Sequence, residues 1–494
     1  MIVKKDSLEG KVEYYIFNQM KEKEYELQEY DATELLTWNR FIVAFNLLYL
    51  DLKDKNRDLA EKIYIEMVRA TSLGSFKETG FEETKNNIDI FLKEFENTFN
   101  SIKLNGFDSS KSVIPLAKDN SILNGSHRVA CAAFLGQKVV CVKTELEPIC
   151  DDYKNLFDRA VPETYVEMAT IKFCEYAKNV HIAFLWPSQK EHMKVTERFF
   201  DKVVYKKEIK LTPNGAFNLL FELYKHMDWV GSKENNYIGI QQKLIECFPN
   251  FSSFKVIVFQ ANNIEEVKSI KEKVRNVCKI GYSSIHITDT PEEALRISKL
   301  LFNKNGLHFL NYAKPRNFSY VIPKIESFKK ILANLQISSN EVVIDGSFVL
   351  ALYGIRKSLD IDILTESRNE YIFKDTVYDI HDSEVKYHGL NKKDLLWNPE
   401  FYFEYMGIKF ISFDQLYKMK KNRAETKDIN DCEIMEAYLS NNVLKERIVR
   451  IRQYILYIRI ILLTKARKII STILKKLKIY EQVKYLYRYT RGKK

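Results

Sequence analysis

At 494 residues, with 46% hydrophobic and 29% charged side chains, the chain has material for two to four cores, and its composition excludes a globally disordered or collagen-like protein. Sixteen glycines and ten prolines are too few for low-complexity linkers, and seven scattered cysteines without a Cys-x-x-Cys pair point to reduced, mostly buried thiols. The net charge of +11 is concentrated at one end: Lys445–Lys494 carries 16 Lys and Arg against Glu446 and Glu481, so the rest of the chain is slightly acidic.

The opening "MIVKKDSLEGKVEYY" has no apolar h-region, and no window reaches about 18 uninterrupted apolar residues. Neither secretion nor a spanning helix is expected; a cytoplasmic location is. Residues 1–105 are predicted to be helical, because "TWNRFIVAFNLLYLDLKDKNRDLAEKIYIEMVRATS" and "NNIDIFLKEFENTFNSIKL" repeat apolar residues at i, i+3 and i+4. Residues 106–150 change texture. "SVIPLAKDNSILNGSHRVACAAFLGQKVVCVKTE" reads as strand, turn, strand, Gly-Ser turn, helix and strand, a compact α/β unit.

Residues 151–318 form a middle α/β region with strands at "NVHIAFLWP", "KVIVFQ" and "SSIHITD". Within it Lys271, Arg275, Ser284, His286, Thr288 and Asp289 lie close in sequence. Capping of the helix "PEEALRISKLL" is the reading adopted for this polar strand end, with phosphate or sugar recognition as its alternative. Residues 319–440 form a further α/β unit and 441–494 a basic helical tail. The expected fold class is therefore α/β (α+β), in several domains.

The segment "VVIDGSFVLALYGIRKSLDIDILTES" carries the chemistry. An apolar strand delivers the chain to Gly346 and Ser347 at a helix start, where N–H groups and the positive dipole end favour phosphate oxygens. Asp360 and Asp362 follow at i and i+2 on a second strand, so both carboxylates face one side while Leu359, Ile361 and Ile363 face the core. Such a pair repels unless a cation lies between its members. Arg356, Lys357 and Ser358 sit between the two motifs, where a triphosphate would lie; charged residues of an ordinary turn are the alternative. Lys420, Lys421 and Arg423 read as a solvated helix face.

This pattern resembles the nucleotidyltransferase superfamily that includes DNA polymerase β and the aminoglycoside nucleotidyltransferases. The resemblance covers Ser327 to Leu439. It implies that Asp360, Asp362 and Asp379, the last in "VYDIHDSEVKYH", are catalytic and hold Mg²⁺ or Mn²⁺, with Asp382 as the alternative third carboxylate. It implies nucleotide contacts from Gly346, Ser347, Arg356, Ser358 and Lys427, and matches Lys427, Asp428 and Asp431 to the family's closing Lys-Asp-x-x-Asp segment. The expected reaction moves a nucleoside monophosphate from a nucleoside triphosphate to a hydroxyl or phosphate of a small-molecule acceptor. Activation of a polyol or sugar phosphate for surface-polysaccharide assembly suits such a chain. The rivals are a toxin-like or RNA-modifying transferase acting on a macromolecule, and a degenerate scaffold that binds nucleotide without turning it over.

A second candidate phosphate site comprises Asn124, Gly125, Ser126, His127 and Arg128. "ILNGSHRVACAAFLG" resembles ParB-like and sulfiredoxin-like domains, some of which are nucleotide-dependent kinases, with Arg128 as a fork-shaped phosphate donor. Asn124 departs from the acidic residue common there, and an ordinary turn capped by His127 is the alternative. In the tail, Arg459, Lys465, Arg467 and Lys468 interrupt the apolar runs, which predicts an amphipathic surface helix. Its first expected partner is an anionic membrane, making the protein peripheral at the inner face. RNA phosphates come second, given Tyr454, Tyr457, Tyr485, Tyr487 and Tyr489 among the Lys and Arg, and packing on the protein itself third.

Overall fold

The computed structural model describes residues 1–78, 85–358, 360–366, 378–440 and 443–490. The fold is mixed α/β, with helix far outweighing strand and three small sheets among the described residues. Two compact units are resolved by their contacts: residues 1–382 with 390–413, and residues 383–389 with 414–494. The segment expected as one nucleotidyltransferase-like domain thus contributes its strands to the first unit and its last helices to the second.

The first sheet of the larger unit joins β1 (Ile2–Lys4), β2 (Glu24–Asp31), β3 (Ile114–Leu116) and β4 (Lys138–Lys143) in the order β1-β2-β4-β3. The expectation of an all-helical region over residues 1–105 is corrected here, because β1 and β2 come from its first 31 residues. The physical reason lies in "EYELQEYD": Tyr25 is buried between exposed Glu24 and Glu26, a two-residue period that serves a half-buried strand. The partner strand β4 lies more than a hundred residues away, pairing Leu27 with Val142 and Tyr30 with Val139. The other helices follow the predicted spacing. Ile42–Leu52 is buried almost all round, and Arg57–Thr71 and Ile88–Asn105 begin at Asn56 and Asn87, whose side chains accept from the N–H groups of Leu59 and Ile90.

The second sheet, β6-β7-β5-β8, is antiparallel throughout: β5 (Val180–Leu185), β6 (Val203–Ile209), β7 (Phe254–Gln260) and β8 (Ile285–Ile287). All six residues of β5 are buried. The edge strand β6 is absent from the sequence reading because Lys206 and Lys207 break its apolar run; they pair with Glu197 and Glu167 respectively. Lysines on an edge strand also discourage pairing with another chain.

The third sheet has the order β11-β10-β9-β13-β12, from β9 (Val342–Asp345), β10 (Ile361–Thr365), β11 (Tyr378–Ile380), β12 (Tyr402–Tyr405) and β13 (Ile408–Ile411). Central β9 and β13 are buried at every residue. β9 runs antiparallel to β10 and parallel to β13, and β10 runs parallel to the edge strand β11.

The smaller unit is helical, built from Thr426–Leu439, Val443–Lys476, Tyr480–Thr490 and the body of Phe413–Arg423. Lys420 and Arg423 do not form the solvated face expected of them. The Lys420 ammonium lies 3.2 Å from Asp428 and 2.8 Å from Asp431, all three nearly inaccessible. Arg423 donates from Nε and Nη2 to the two oxygens of Asp428, both at 2.8 Å, and reaches Glu384 at 3.2 Å. Burial demands such pairing, and the acids arrive from the next helix. Lys421 alone stays exposed. Among the described residues no helix is long and apolar enough to cross a membrane.

Candidate active site

The site begins where β9 ends. Gly346 has φ of +65°, in the left-handed region, and a Cβ there would fall 1.8 Å from the Asp362 Oδ2. Only glycine admits both the turn and this close approach. The Ser347 backbone N–H is near enough to the Asp362 carboxylate to favour its ionised form. The helix it opens is short, Ser347–Leu352.

Ser347 and Ser358 position the other carboxylate. Their hydroxyls are 2.7 Å apart, and the Asp360 Oδ1 accepts from Ser358 at 3.1 Å and Ser347 at 3.3 Å. The Ser358 N–H in turn donates to the Tyr320 hydroxyl at 2.8 Å. Half-buried Arg356 donates to the Lys357 carbonyl at 3.0 Å, and Lys357 is exposed. Leu359 lies outside the described residues.

Strand register brings a further carboxylate into line. Asp362 pairs with Asp345 on β9 and with Asp379 on β11, so the three occupy one cross-strand row and share a face. Accessibility rises along the row: Asp345 is fully buried, Asp362 partly, Asp379 exposed. Asp382 lies beyond the strand, in a 3-10 turn, 2.6 Å from Lys392. It is therefore Asp379 that stands next to Asp362.

The sequence reading misses Asp345, His381 and Lys324. His381 Nδ1 lies 3.3 Å from the Asp345 Oδ2. Burial pushes the Asp362 carboxyl above the usual carboxylate range; His381 opposes this, while Asp360 and Asp345 add to it. Burial lowers the Lys324 ammonium and the nearby Asp360 raises it, and the ammonium lies 5.7 Å from the centre of the Phe348 ring. The available signal was "VVIDGS", where Asp345 ends an otherwise apolar strand one residue before the turn. Lys427 belongs to the smaller unit, exposed and 3.2 Å from Glu425, while Asp428 and Asp431 serve the buried network there.

Among the described residues no group of three His, Cys, Asp or Glu side chains is already gathered as a metal cage. Mg²⁺ usually takes one or two carboxylates, several waters and substrate phosphates instead. Asp360 and Asp362, the first close enough to raise the cost of ionising the second, fit that mode, with Asp379 beside them.

The second candidate site heads the helix Ser126–Phe134, after Gly125 at φ of +93°. It opens on a cavity of about 260 Å³. Arg128 pairs with Glu13 at 2.5 Å and Lys85 with Glu78 at 3.1 Å, so each cation there already faces an acid. Asn124 donates to the Tyr15 hydroxyl at 3.2 Å. His127 bonds the Tyr64 hydroxyl through Nε2 at 2.9 Å and stacks on Phe95, with ring centroids 4.3 Å apart. Burial drives its pKa down to about 3, so the ring is neutral, partly exposed at the cavity wall and stacked on Phe95. Asn46, 1% exposed, presents both side-chain polar atoms without a partner to the same cavity.

Comparison of the chain with protein-family models, with curated proteins and with solved structures gives no match.

Proposed function

We propose that the protein is a metal-dependent nucleotidyltransferase acting at Asp360, Asp362 and Asp379 on a nucleoside triphosphate and a small-molecule acceptor. The observation that carries this reading is the carboxylate row aligned by strand register beside the Gly346 turn, with Asp360 fixed by Ser347 and Ser358. Nothing in a merely structural hairpin requires acids to be stacked at the cost of raising the Asp362 pKa.

Bound at these carboxylates, Mg²⁺ or Mn²⁺ would supply charge neutralisation for the triphosphate. Lys324, whose ammonium feels the Asp360 charge, and Arg356 are the cations that this reading assigns to its oxygens. Asp379, exposed on the edge strand, takes the proton of the acceptor hydroxyl. The hydroxyl oxygen then bonds to the α-phosphorus, the bond to the bridging oxygen breaks, and pyrophosphate leaves with the electron pair. Mass spectrometry of products formed from mixed nucleoside triphosphates and a metabolite extract, with Mg²⁺, tests the reading and separates small-molecule from macromolecular acceptors. A nucleotidylated product that Asp362→Asn fails to form supports it; hydrolysis or transfer unaffected by that substitution overturns it.

The tail is the membrane-associating part of this proposal. Ile451, Ile455, Ile458, Leu462, Ile469 and Ile473 are solvent-exposed, and at 3.6 residues per turn they fall within an arc of about 60°. An exposed apolar stripe on a strongly basic helix is the pattern of an interfacial helix on anionic lipid.

A further inference from the structure

Away from the carboxylate row, the middle sheet borders an open cavity of about 510 Å³, well inside the range of about 300–1,000 Å³ usual for small-molecule sites. Strand β8 and the helices Pro213–Tyr224, Ile238–Cys247 and Ile264–Cys278 contribute its walls. Tyr224 packs its ring against Trp229 at 5.2 Å and against His286 at 5.1 Å. Trp229 is 45% exposed and Tyr282 75% exposed, so two large aromatic faces meet solvent at the mouth.

The polar groups lining the cavity are mostly partnered. Lys271 lies 2.8 Å from Asp289, His286 Nε2 lies 3.4 Å from Glu293, and Lys243 donates to the Tyr282 carbonyl at 2.9 Å and the Ser283 hydroxyl at 3.2 Å. Arg275 is the exception. Its guanidinium lies 4.5 Å from the centre of the Tyr282 ring, its Nε is buried without a hydrogen-bond partner, and among the described residues it has no carboxylate partner. Ser284 and Thr288, grouped with these residues by sequence, instead bond backbone: Ser284 donates to the Gly281 carbonyl, and the Thr288 hydroxyl accepts from the Ile182 N–H. The cap of the following helix is Thr290, accepting from the Glu293 N–H.

We propose that this cavity binds a sugar monophosphate, with Arg275 taking the phosphate and Trp229 and Tyr282 the sugar ring. One unmatched guanidinium suits one phosphate group, since its fork pairs bidentately with phosphate oxygens. The carboxylates of Glu246, Asp289 and Glu293 lining the same space repel the extra charge of a di- or triphosphate, but accept hydrogen bonds from sugar hydroxyls. The aromatic rings do not form a nucleobase slot: Tyr224 and Trp229 are inclined by 55°, and Arg275 already covers one face of Tyr282. The proposal stands apart from the transfer reaction and survives if that reading fails.

Calorimetric titration of the full chain with glucose 1-phosphate, glucose 6-phosphate, ribose 5-phosphate, glucose, inorganic phosphate and AMP tests it. At least one sugar phosphate should bind at least tenfold more tightly than glucose, phosphate or AMP. Arg275→Gln should weaken that binding tenfold or more, and so should Trp229→Ala, a change at an exposed position that tests the claim if Arg275→Gln fails to fold. Asp362→Asn should leave it unchanged. The proposal is overturned if none of the sugar phosphates binds, if binding persists in both cavity variants, if AMP binds best, or if Asp362→Asn abolishes binding and so moves the ligand to the carboxylate row.

Discussion

Asp345 and Asp362 stand opposite each other in the antiparallel β9–β10 pair, and Asp345 is fully buried there with His381 Nδ1 3.3 Å from its carboxylate. Burial above all, and then the charges of Asp360 and Asp345, make the ionised form of Asp362 costly, with His381 opposing them. The folded-state pKa of Asp362 lies above its unfolded value, so its contribution to stability is present at low pH and is lost as pH rises through the folded pKa. On the proposed reading, the ionised row at neutral pH is a source of strain that a divalent cation would relieve.

The first expected outcome follows from that strain. Millimolar Mg²⁺ at neutral pH should raise the melting temperature of the wild type, and Asp362→Asn should melt no lower than the metal-free wild type while losing the Mg²⁺ response. Pyrophosphate release should fall by about 100-fold or more in Asp360→Asn and in Asp362→Asn. A full Mg²⁺ response in Asp362→Asn would remove the row as the cation site.

Gly346→Ala should damage the site more than the fold. The added methyl meets the Asp362 carboxylate, and φ of +65° disfavours any side chain, so a stability loss of about 1–3 kcal/mol is expected. Activity should drop as far as in Asp362→Asn, because the carboxylate must move. Urea denaturation beside a turnover assay measures both; unchanged turnover would mean that Asp362 does not act from its present position.

How much of this was legible in the sequence depends on the range of the interaction. Gly346, Ser347, Asp360 and Asp362 stood out because a strand's two-residue period and a turn's demand for glycine are local rules. Asp345 was hidden, although adjacent in sequence, because its importance comes from the strand opposite. β2 was missed for a similar reason: its partner β4 follows more than a hundred residues later. Lys420 and Arg423 looked solvated on composition alone, and only the packing of Asp428 and Asp431 against them shows otherwise. Lys271, Arg275, His286 and Asp289 were grouped by their closeness in sequence, but Trp229 reaches the same cavity from a separate element, which no local pattern reveals.

That buried network gives a stability expectation for the smaller unit. Removing Asp428 takes the bidentate partner from Arg423, which keeps Glu384, and one of two acids from Lys420, which keeps Asp431; breaking one partner of a buried pair costs up to about 3–5 kcal/mol. Asp428→Ala should therefore lower the unfolding midpoint markedly, whereas Lys427→Ala, at an exposed position, should leave it near wild type. The balance of Arg423 and Lys420 against burial holds the Asp428 carboxyl below its usual range, so this stability is present above the unfolded pKa and lost as pH falls through the folded one. Equal midpoints for the two variants would mean that the network contributes nothing net.

His127 sets a different acid limit. Its pKa falls to about 3 on folding because burial disfavours the charged ring, against an unfolded value of about 6.5. Between those values the unfolded chain binds about one proton more, so stability declines as pH drops from about 6.5 towards 3. His127→Phe keeps an aromatic ring against Phe95 while losing the bond to Tyr64, and its stability should depend on pH in that window by about one proton less. Denaturant titrations at pH 7, 5.5 and 4.5 measure the slope; identical slopes would place a charged histidine in the fold.

The tail yields the last expectation, and two independent features of the helix Val443–Lys476 bear on it. Its start is anchored within the smaller unit, Arg452 lying 2.6 Å from Glu433 and Lys445 3.2 Å from Glu436, with Val449 buried between them in sequence. Further along, Ile455, Leu462, Ile469 and Ile473 are each more than 45% exposed, a loss of apolar burial that an acyl boundary would recover at roughly 25 cal/mol per Å². Basic residues near an anionic surface add about 1 kcal/mol each, and salt screens that part but not the apolar part. The full chain should therefore co-sediment with vesicles containing phosphatidylserine, weakly with neutral vesicles, and with an affinity that falls but does not vanish in high salt. Leu462→Asp with Ile469→Asp should abolish the salt-resistant fraction and keep the salt-sensitive one. If single-stranded RNA instead binds more tightly than the vesicles and both substitutions leave sedimentation unchanged, the stripe is not a lipid contact and the basic tail serves phosphate backbones.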